Sequence, residues 1–474
     1  MNWSALWYAA EWIVRIVMLG VVTHRRKPSA AMAWLVIVFF LPVPGAVLYL
    51  LLGRDRLPRR RARKHARRVE SIRRLADGVA RKQHAKPHDE LSPFGAVAPL
   101  AERLGRMPVV GGNAVELVED TAPAIDRLID DIDAARHHVH MLFYIWADDD
   151  TGRRVTEALA RAVDRGVTCR VLLDSAGSWP MFYRGGSQRL REAGVDLREA
   201  LPVGGLRRKF ARLDLRNHRK IVVIDGRLAW TGSQNIINPD YGTKDLEYSD
   251  LMARIEGPAV HEIQWTFAGD WYAETDEVLD SDAYFPEPDT PGSVPIQTLP
   301  SGPSDPVENY PRLIVTAIQA ARRRVIINTP YFVPDEPTMA AMESAAMRGV
   351  RVDLVVPRRT DHPLVDAASR AYYEPLFEAG VRIFSHREGM LHTKAMSVDE
   401  GLALVGSGNF DIRSFKLNFE LNLLFFDSDV PSRLRAIQET YIEESVELSL
   451  DKWRDRPAWH IVGQDVAKLL SPLL

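Results

Sequence analysis

The chain has 474 residues, 46% of them hydrophobic and 26% charged, a globular composition long enough for two or three core-bearing units rather than a disordered chain. Its formal net charge of −2 and pI near 6.7 argue against a nucleic-acid partner on bulk charge. The single cysteine, Cys169, excludes an intrachain disulfide framework and a cysteine zinc site, and within Val167-Thr168-Cys169-Arg170-Val171 it reads as a small buried hydrophobe.

The N-terminal region is apolar. Ala5 to Val22 carries Glu11 and Arg15 at i, i+4, where they can pair, and so reads as the weaker of two membrane segments. The stronger is Ala30 to Leu52, which has no charged residue, contains Trp34, Phe39, Phe40, Leu41 and Tyr49, and is long enough to cross a bilayer. Pro42 and Pro44 leave a second reading open, a re-entrant hairpin with both ends on one side. A cleaved signal peptide is disfavoured, because a basic leading region is missing and a second apolar run follows at once. The basic run from Arg54 to Arg68 is expected to stay inside and to attract anionic lipid, or merely to set topology. It places the remaining chain in the cytoplasm, although Arg25, Arg26 and Lys27 also prefer that side. Residues 1–53 are thus expected to form a membrane region and 54–107 a basic juxtamembrane linker.

Two repeats follow, at 108–273 and 307–474. Ala134-Ala135-Arg136 before an apolar strand is echoed by Ala320-Ala321-Arg322, Arg165-Gly166-Val167 by Arg348-Gly349-Val350, and Glu192-Ala193-Gly194-Val195 by Glu378-Ala379-Gly380-Val381. Each half alternates helix and strand, which predicts an α/β layer architecture. Between them, 274–306 is acidic and proline-rich and reads as a linker.

Both halves carry H-x-K-x4-D-x6-G-S-x-N. The first copy runs from His218 through Lys220, Asp225 and Ser233 to Asn235; the second runs from His392 through Lys394, Asp399 and Ser407 to Asn409. One copy is weak evidence, but two in an identical register are not expected from any requirement of folding. The apolar residues after each lysine predict a strand, a turn at the aspartate, and a second strand. Phosphodiester exchange needs a nucleophile, a proton donor for the departing alkoxide, and cations around the oxygens that gain charge. Two imidazoles and two ammoniums supply these, with Ser233, Asn235, Ser407 and Asn409 as neutral phosphate-binding donors, and neither a metal nor another cofactor is required.

The paired motifs resemble those of the phospholipase D superfamily. Within it the chain is most similar to bacterial cardiolipin synthases, through Trp34, Pro42, Gly45, Tyr49 and Gly53, through Thr329-Pro330-Tyr331-Phe332-Val333-Pro334-Asp335, and through the terminal Ser471-Pro472-Leu473-Leu474. The resemblance implies two pseudo-symmetric repeats in a bilobal α/β sandwich preceded by membrane helices, at a bacterial plasma membrane. It implies transfer of a phosphatidyl group between two phosphatidylglycerol molecules, giving cardiolipin and glycerol, with His218 as nucleophile and His392 as general acid/base. The reverse assignment fits symmetric motifs equally. It implies catalytic roles for Lys220, Asp225, Lys394 and Asp399. Glu420 resembles the carboxylate that orients the second-half histidine, and Asp250 is its nearest first-half analogue. Arg207, Arg208, Lys209, Arg212 and Arg216, before the first motif, either face anionic headgroups or form a solvated loop. A phospholipase-type hydrolase, a phosphatidyltransferase with another donor or acceptor, a nuclease and a catalytically silent lipid-binding scaffold are the alternatives; oligomeric state is not legible.

Overall fold

The computed structural model describes residues 3–24, 28–52, 85–86, 91, 94–202, 214–241, 246–303, 305, 307–469 and 471. The basic run from Arg54 to Arg68, the Arg25 to Lys27 cluster and the loop residues Arg207, Arg208, Lys209 and Arg212 lie outside them.

At the N-terminus, helix α1 (Trp3–Thr23) is, among the described residues, the helix long and apolar enough to cross a bilayer, with a mean hydropathy of 1.5 over Leu6–Thr23. The segment read as the stronger span is instead broken into α2 (Pro28–Phe40) and α3 (Pro42–Leu52), with a bend at Leu41. The arms fold back on each other: Gly45 lies so close to Val38 that a Cβ there would meet its Cα at 3.0 Å, and the Trp34 and Tyr49 rings meet edge-on at 5.3 Å. At about 1.5 Å rise per residue each arm is about 20 Å or shorter, less than the ~30 Å hydrocarbon core. The re-entrant hairpin is therefore the arrangement adopted, because Pro42 and Pro44 withhold the N–H groups a continuous helix needs. Arg15 pairs with Glu11 at 3.3 Å and donates to Phe39 O at 3.1 Å, so the polar pair of α1 is covered by the hairpin.

The first half contributes β1 (Val110–Glu119), β2 (His138–Phe143), β3 (Thr168–Asp174), β4 (Asp196–Ala200), β5 (Arg216–Asn217), β6 (Ile221–Ile224), β7 (Leu228–Gly232), β8 (Tyr248–Ser249) and β9 (Leu251–Glu256). After β10 (Val294–Ser301) come β11 (Arg324–Asn328), β12 (Phe332–Val333), β13 (Arg351–Pro357), β14 (Arg382–His386) and β15 (Met390–Leu391). The last five are β16 (Ala395–Val398), β17 (Leu402–Gly406), β18 (Phe410–Asp411), β19 (Asn418–Phe425) and β20 (Ser445–Glu447). The main sheet runs β20-β14-β13-β11-β16-β17-β19-β10-β1-β9-β7-β6-β2-β3-β4. Reading outward from the antiparallel β1–β10 junction, the two halves follow the same strand pattern, which is the pseudo-twofold arrangement of an α/β sandwich.

Alternation along the strands sorts side chains into layers. Val139, Met141 and Phe143 of β2 point to an outer core under the helices Thr121–Asp133 and Asp150–Asp164, whereas Leu142 points to a central core. Ile326 of β11 joins that same central core, as do the helices Ala259–Thr275 and Asp429–Glu443. Cys169 is buried in the outer core, where burial pushes its thiol up to about 12 and keeps it a protonated hydrophobe.

Two stretches expected as linkers are structural. β10 falls within 274–306 yet joins the halves, because Val294, Ile296 and Leu299 are buried between β1 and β19. Within 54–107, the helix Val97–Gly105 buries Val97, Ala98 and Ala101, and Gln297 fastens it by donating to Ala98 O and Met107 O.

The motif aspartates require a further correction. Asp225 and Asp399 occupy the turns at the far ends of β6 and β16, with φ of 54° and 49°. Seven extended residues, roughly 20 Å, separate each from its histidine. Asp225 accepts the N–H groups of Arg136, His137 and His138, and Asp399 those of Arg322, Arg323 and Arg324, all at 2.7–2.9 Å. These carboxylates tie the start of β2 or β11 to the motif hairpin and touch no reacting group. Asp225→Ala should lower unfolding stability by about 3 kcal/mol through loss of these charge-assisted bonds. Turnover per folded molecule should be unchanged. Denaturant melts run beside activity titrations check both; a catalytic loss at full stability would contradict this placement.

Candidate active site

Each motif enters the centre by pairing with the opposite half. β5 lies parallel to β19, and the His218 N–H donates to Phe419 O at 2.9 Å. β8 lies parallel to β15, and the His392 N–H donates to Ser249 O at 2.8 Å. Phe419 precedes Glu420 and Ser249 precedes Asp250, so this pairing sets each histidine against the other half's carboxylate.

His218 Nδ1 lies 3.2 Å from Glu420 Oε2, and His392 Nδ1 lies 2.6 Å from Asp250 Oδ1. The expected pairing within halves is therefore reversed: Glu420 of the second half orients the first-half histidine, and Asp250 of the first half orients the second. In the neutral form of either ring, donation of Nδ1–H to a carboxylate leaves Nε2 as the nitrogen that faces the pocket chemistry, able to attack or to take up and give back a proton.

The motif serines hold these carboxylates. Ser233 Oγ donates to Asp250 and Ser407 Oγ to Glu420, each at 2.6 Å, while each oxygen accepts the following strand's N–H, from Leu251 or Leu421, at 2.9 Å. Both hydroxyls are wholly buried, which corrects their expected role as phosphate donors. Asn235 and Asn409 do line the central pocket, as do both histidines. Lys220 and Lys394 are buried behind it, donating to the carbonyls of His218 and His392 at 2.8 and 2.6 Å.

Electrostatics follow from burial. Loss of hydration pushes His218 down to about 4 against the attraction of Glu420, with Lys220 adding to the fall. His392 is also lowered, by burial and then by Lys394. Burial brings Lys220 to about 8 and Lys394 to about 7, a mutual repulsion adding to the latter. Burial acts to raise Asp250, but the adjacent His392 outweighs it and holds the carboxyl at about 2. Two closely spaced ammoniums that shed protons this readily are poised to be satisfied by an anion.

The pocket encloses about 410 Å³. Beside His218 stand Tyr144, with ring centroids 4.8 Å apart, and Arg216, paired with the buried Asp174 at 3.7 Å. Arg413, which donates to Asp214 O, lines the same wall. Beside His392 the lining is different: Tyr241, Tyr331, Asp361 and His362. Of these wall residues the sequence draws attention to Arg216, in the basic stretch before the first motif, and to Tyr331, in the Thr329 to Asp335 run, but to neither as a pocket residue. They fall outside the matched motif positions, so comparing the repeats cannot find them, although Asp361-His362 follows β13 at the C-terminal end of parallel strands, where ligand crevices form.

Two carboxylate-backed imidazoles facing one pocket over two buried ammoniums, on a duplicated α/β sandwich, define a protein of the phospholipase D class. A family model described as "Cardiolipin synthase, PLD-like domain" matches residues 128–271 and 314–441, and one described as "Phospholipase_D-nuclease N-terminal" matches 12–54. The cardiolipin synthases A of Serratia proteamaculans and Yersinia pestis are each 38% identical over 469 residues, 97% of this chain and 96% of theirs. The crystal structure of the phosphatidylserine synthase of Haemophilus influenzae shares the fold, with a TM-score of 0.58 at 14% identity, covering 80% of this chain and 100% of that one. The chain belongs to the cardiolipin synthase family. It is a membrane-associated protein, and the length and apolar character of α1 fit that.

Proposed function

We propose that the protein condenses two phosphatidylglycerol molecules into cardiolipin and glycerol, with His218 as nucleophile and His392 as acid and then base. The observation that carries this reading is the pair of carboxylate-held histidines sharing one pocket, in a chain similar over nearly its full length to cardiolipin synthases. His218 Nε2 attacks the phosphorus of the donor, the P–O bond to glycerol breaks, and the departing oxygen takes the proton held on His392 Nε2. The hydroxyl of a second phosphatidylglycerol then returns a proton to His392, its oxygen attacks phosphorus, and the P–N bond to His218 breaks. Lys220 and Lys394 offset the charge gained by the phosphoryl oxygens. A neutral His218 suits attack, and although His392 is lowered too, its 2.6 Å bond to Asp250, shorter than the 3.2 Å of His218 to Glu420, steadies the imidazolium an acid must present, which supports this direction over the reverse. The catalytic region works on the cytoplasmic side, with phosphatidylglycerol delivered laterally from the bilayer.

Purified protein in phosphatidylglycerol vesicles, with lipid products followed by mass spectrometry, tests the reading. Cardiolipin and glycerol should appear in equal amounts; phosphatidic acid as the main product would replace transfer with hydrolysis. The pH dependence has a definite sign. Attack requires His218 unprotonated, so kcat/KM should rise with pH through about 4. Protonation of the leaving oxygen requires His392 protonated, so kcat/KM should fall again below the ordinary histidine range of about 6.5. A bound phosphodiester anion raises both histidines, so the kcat profile should lie at higher pH than that of kcat/KM. Coincident profiles would contradict this electrostatic picture.

A further inference from the structure

The catalytic centre is nearly twofold, but its walls are not. The His218 side carries Arg216 and Arg413, together with Asp411, whose carboxylate is engaged by the Ser414 N–H and the Asn409 amide. The His392 side carries a carboxylate set among phenols. Asp361 accepts the Tyr331 hydroxyl, and the Tyr241 ring stacks on Tyr248 at 4.1 Å. Tyr248 in turn stands edge-on to His392 at 5.3 Å. Tyr248 is itself buried, its hydroxyl held in the field of Asp361. His362 adds a ring nitrogen 3.6 Å from Asp361.

An anion and a polyol make opposite demands on such walls. A phosphate is repelled by Asp361 and drawn to the ammoniums and to the Arg216–Arg413 side. A neutral polyol needs acceptors for its hydroxyl hydrogens and donors for its oxygens, which a carboxylate and protonated phenols provide together. Burial raises Tyr241 and Tyr331 well above the ordinary phenol range, followed by Asp250 for Tyr241 and by Asp361 for Tyr331, so both stay protonated donors at any working pH.

We infer that Asp361, Tyr331 and Tyr241 form a polyol-binding wall beside His392 that seats the glycerol headgroup, first as the leaving alcohol and then as the attacking one. The inference rests on the phosphatidyl-transfer reading and deepens it. One wall serves both steps, because by microscopic reversibility the arriving hydroxyl takes the place the departing one left, within reach of the same imidazole. The wall also explains how a pseudo-symmetric centre tells its two histidines apart: the alcohol is always delivered to His392. Asp361 and Tyr331 hold the polyol and exchange no proton with the reacting oxygens.

The test offers phosphatidylglycerol vesicles two competing soluble acceptors, isotope-labelled glycerol and ethanol, and measures labelled phosphatidylglycerol against phosphatidylethanol. Asp361→Asn should lower the glycerol-to-ethanol ratio by about 10- to 100-fold, the loss expected when a charged partner of a substrate hydroxyl is removed. Because the same wall seats the departing glycerol, total exchange should fall as well, while the ratio, set only where the two acceptors compete for the intermediate, reports the wall's hold on the entering alcohol. Tyr331→Phe should shift the ratio in the same direction by a smaller factor, and it serves as the second variant if Asp361→Asn melts early. An unchanged ratio in both variants, or an equal fall for both acceptors, would overturn the polyol wall. If wild-type protein exchanges alcohols but makes no cardiolipin, the cardiolipin reading fails while the ratio still reports on this wall.

Discussion

Given a phosphatidyl donor whose leaving group is p-nitrophenolate, His392→Ala protein should still release nitrophenol in its first turnover, and His218→Ala protein should release none. Nitrophenolate departs without protonation, so the first step keeps its need for a nucleophile and loses its need for an acid. On phosphatidylglycerol itself both changes should lower turnover by about 10⁴-fold or more, since residues acting as a unit are each indispensable. Two equally silent variants on phosphatidylglycerol would therefore be separated by the activated donor. Release by His218→Ala and not by His392→Ala would reverse the roles.

The second large effect follows from the crossed carboxylates. Glu420→Gln should reproduce the His218→Ala pattern, weak on both donors, although Glu420 lies in the sequence half of His392. Asp250→Asn should reproduce the His392→Ala pattern, impaired on phosphatidylglycerol and spared on the nitrophenyl donor. Replacing the carboxylate that fixes a catalytic tautomer costs up to about 10⁴-fold, and a 10²- to 10⁴-fold loss is expected here. The geometry behind this is the pair of short parallel contacts, β5 with β19 and β8 with β15, which carry each histidine across to the other half. Losses that follow sequence halves instead would contradict the crossing.

Much of this was legible in the sequence because the strongest signal was repetition. The register from His218 to Asn235 and from His392 to Asn409 marked the centre, and the apolar runs after each lysine became β6 and β16. Roles within the motif were less legible. Asp225, Asp399, Ser233 and Ser407 recur for structural reasons, bonding to backbone or to a carboxylate, and a repeated letter does not distinguish those from contact with substrate. Which carboxylate meets which histidine depends on pairing between residues some 140 to 200 positions apart, such as His392 with Asp250 and His218 with Glu420, and no local pattern encodes it. The hairpin of α2 and α3 turned on two prolines whose alternatives were visible, but it was fixed by the packing of Gly45 on Val38 and of Trp34 on Tyr49. β10 was hidden by its prolines, Pro295 and Pro300, which mimic a linker while the strand between them is buried.

Direct isolation of the covalent intermediate bears most closely on the whole account. Protein mixed briefly with phosphatidylglycerol labelled in its phosphate, quenched in alkali to preserve phosphohistidine, and mapped by peptide should carry the label on the peptide containing His218. Label on the His392 peptide, or no covalent label while cardiolipin accumulates, would contradict it.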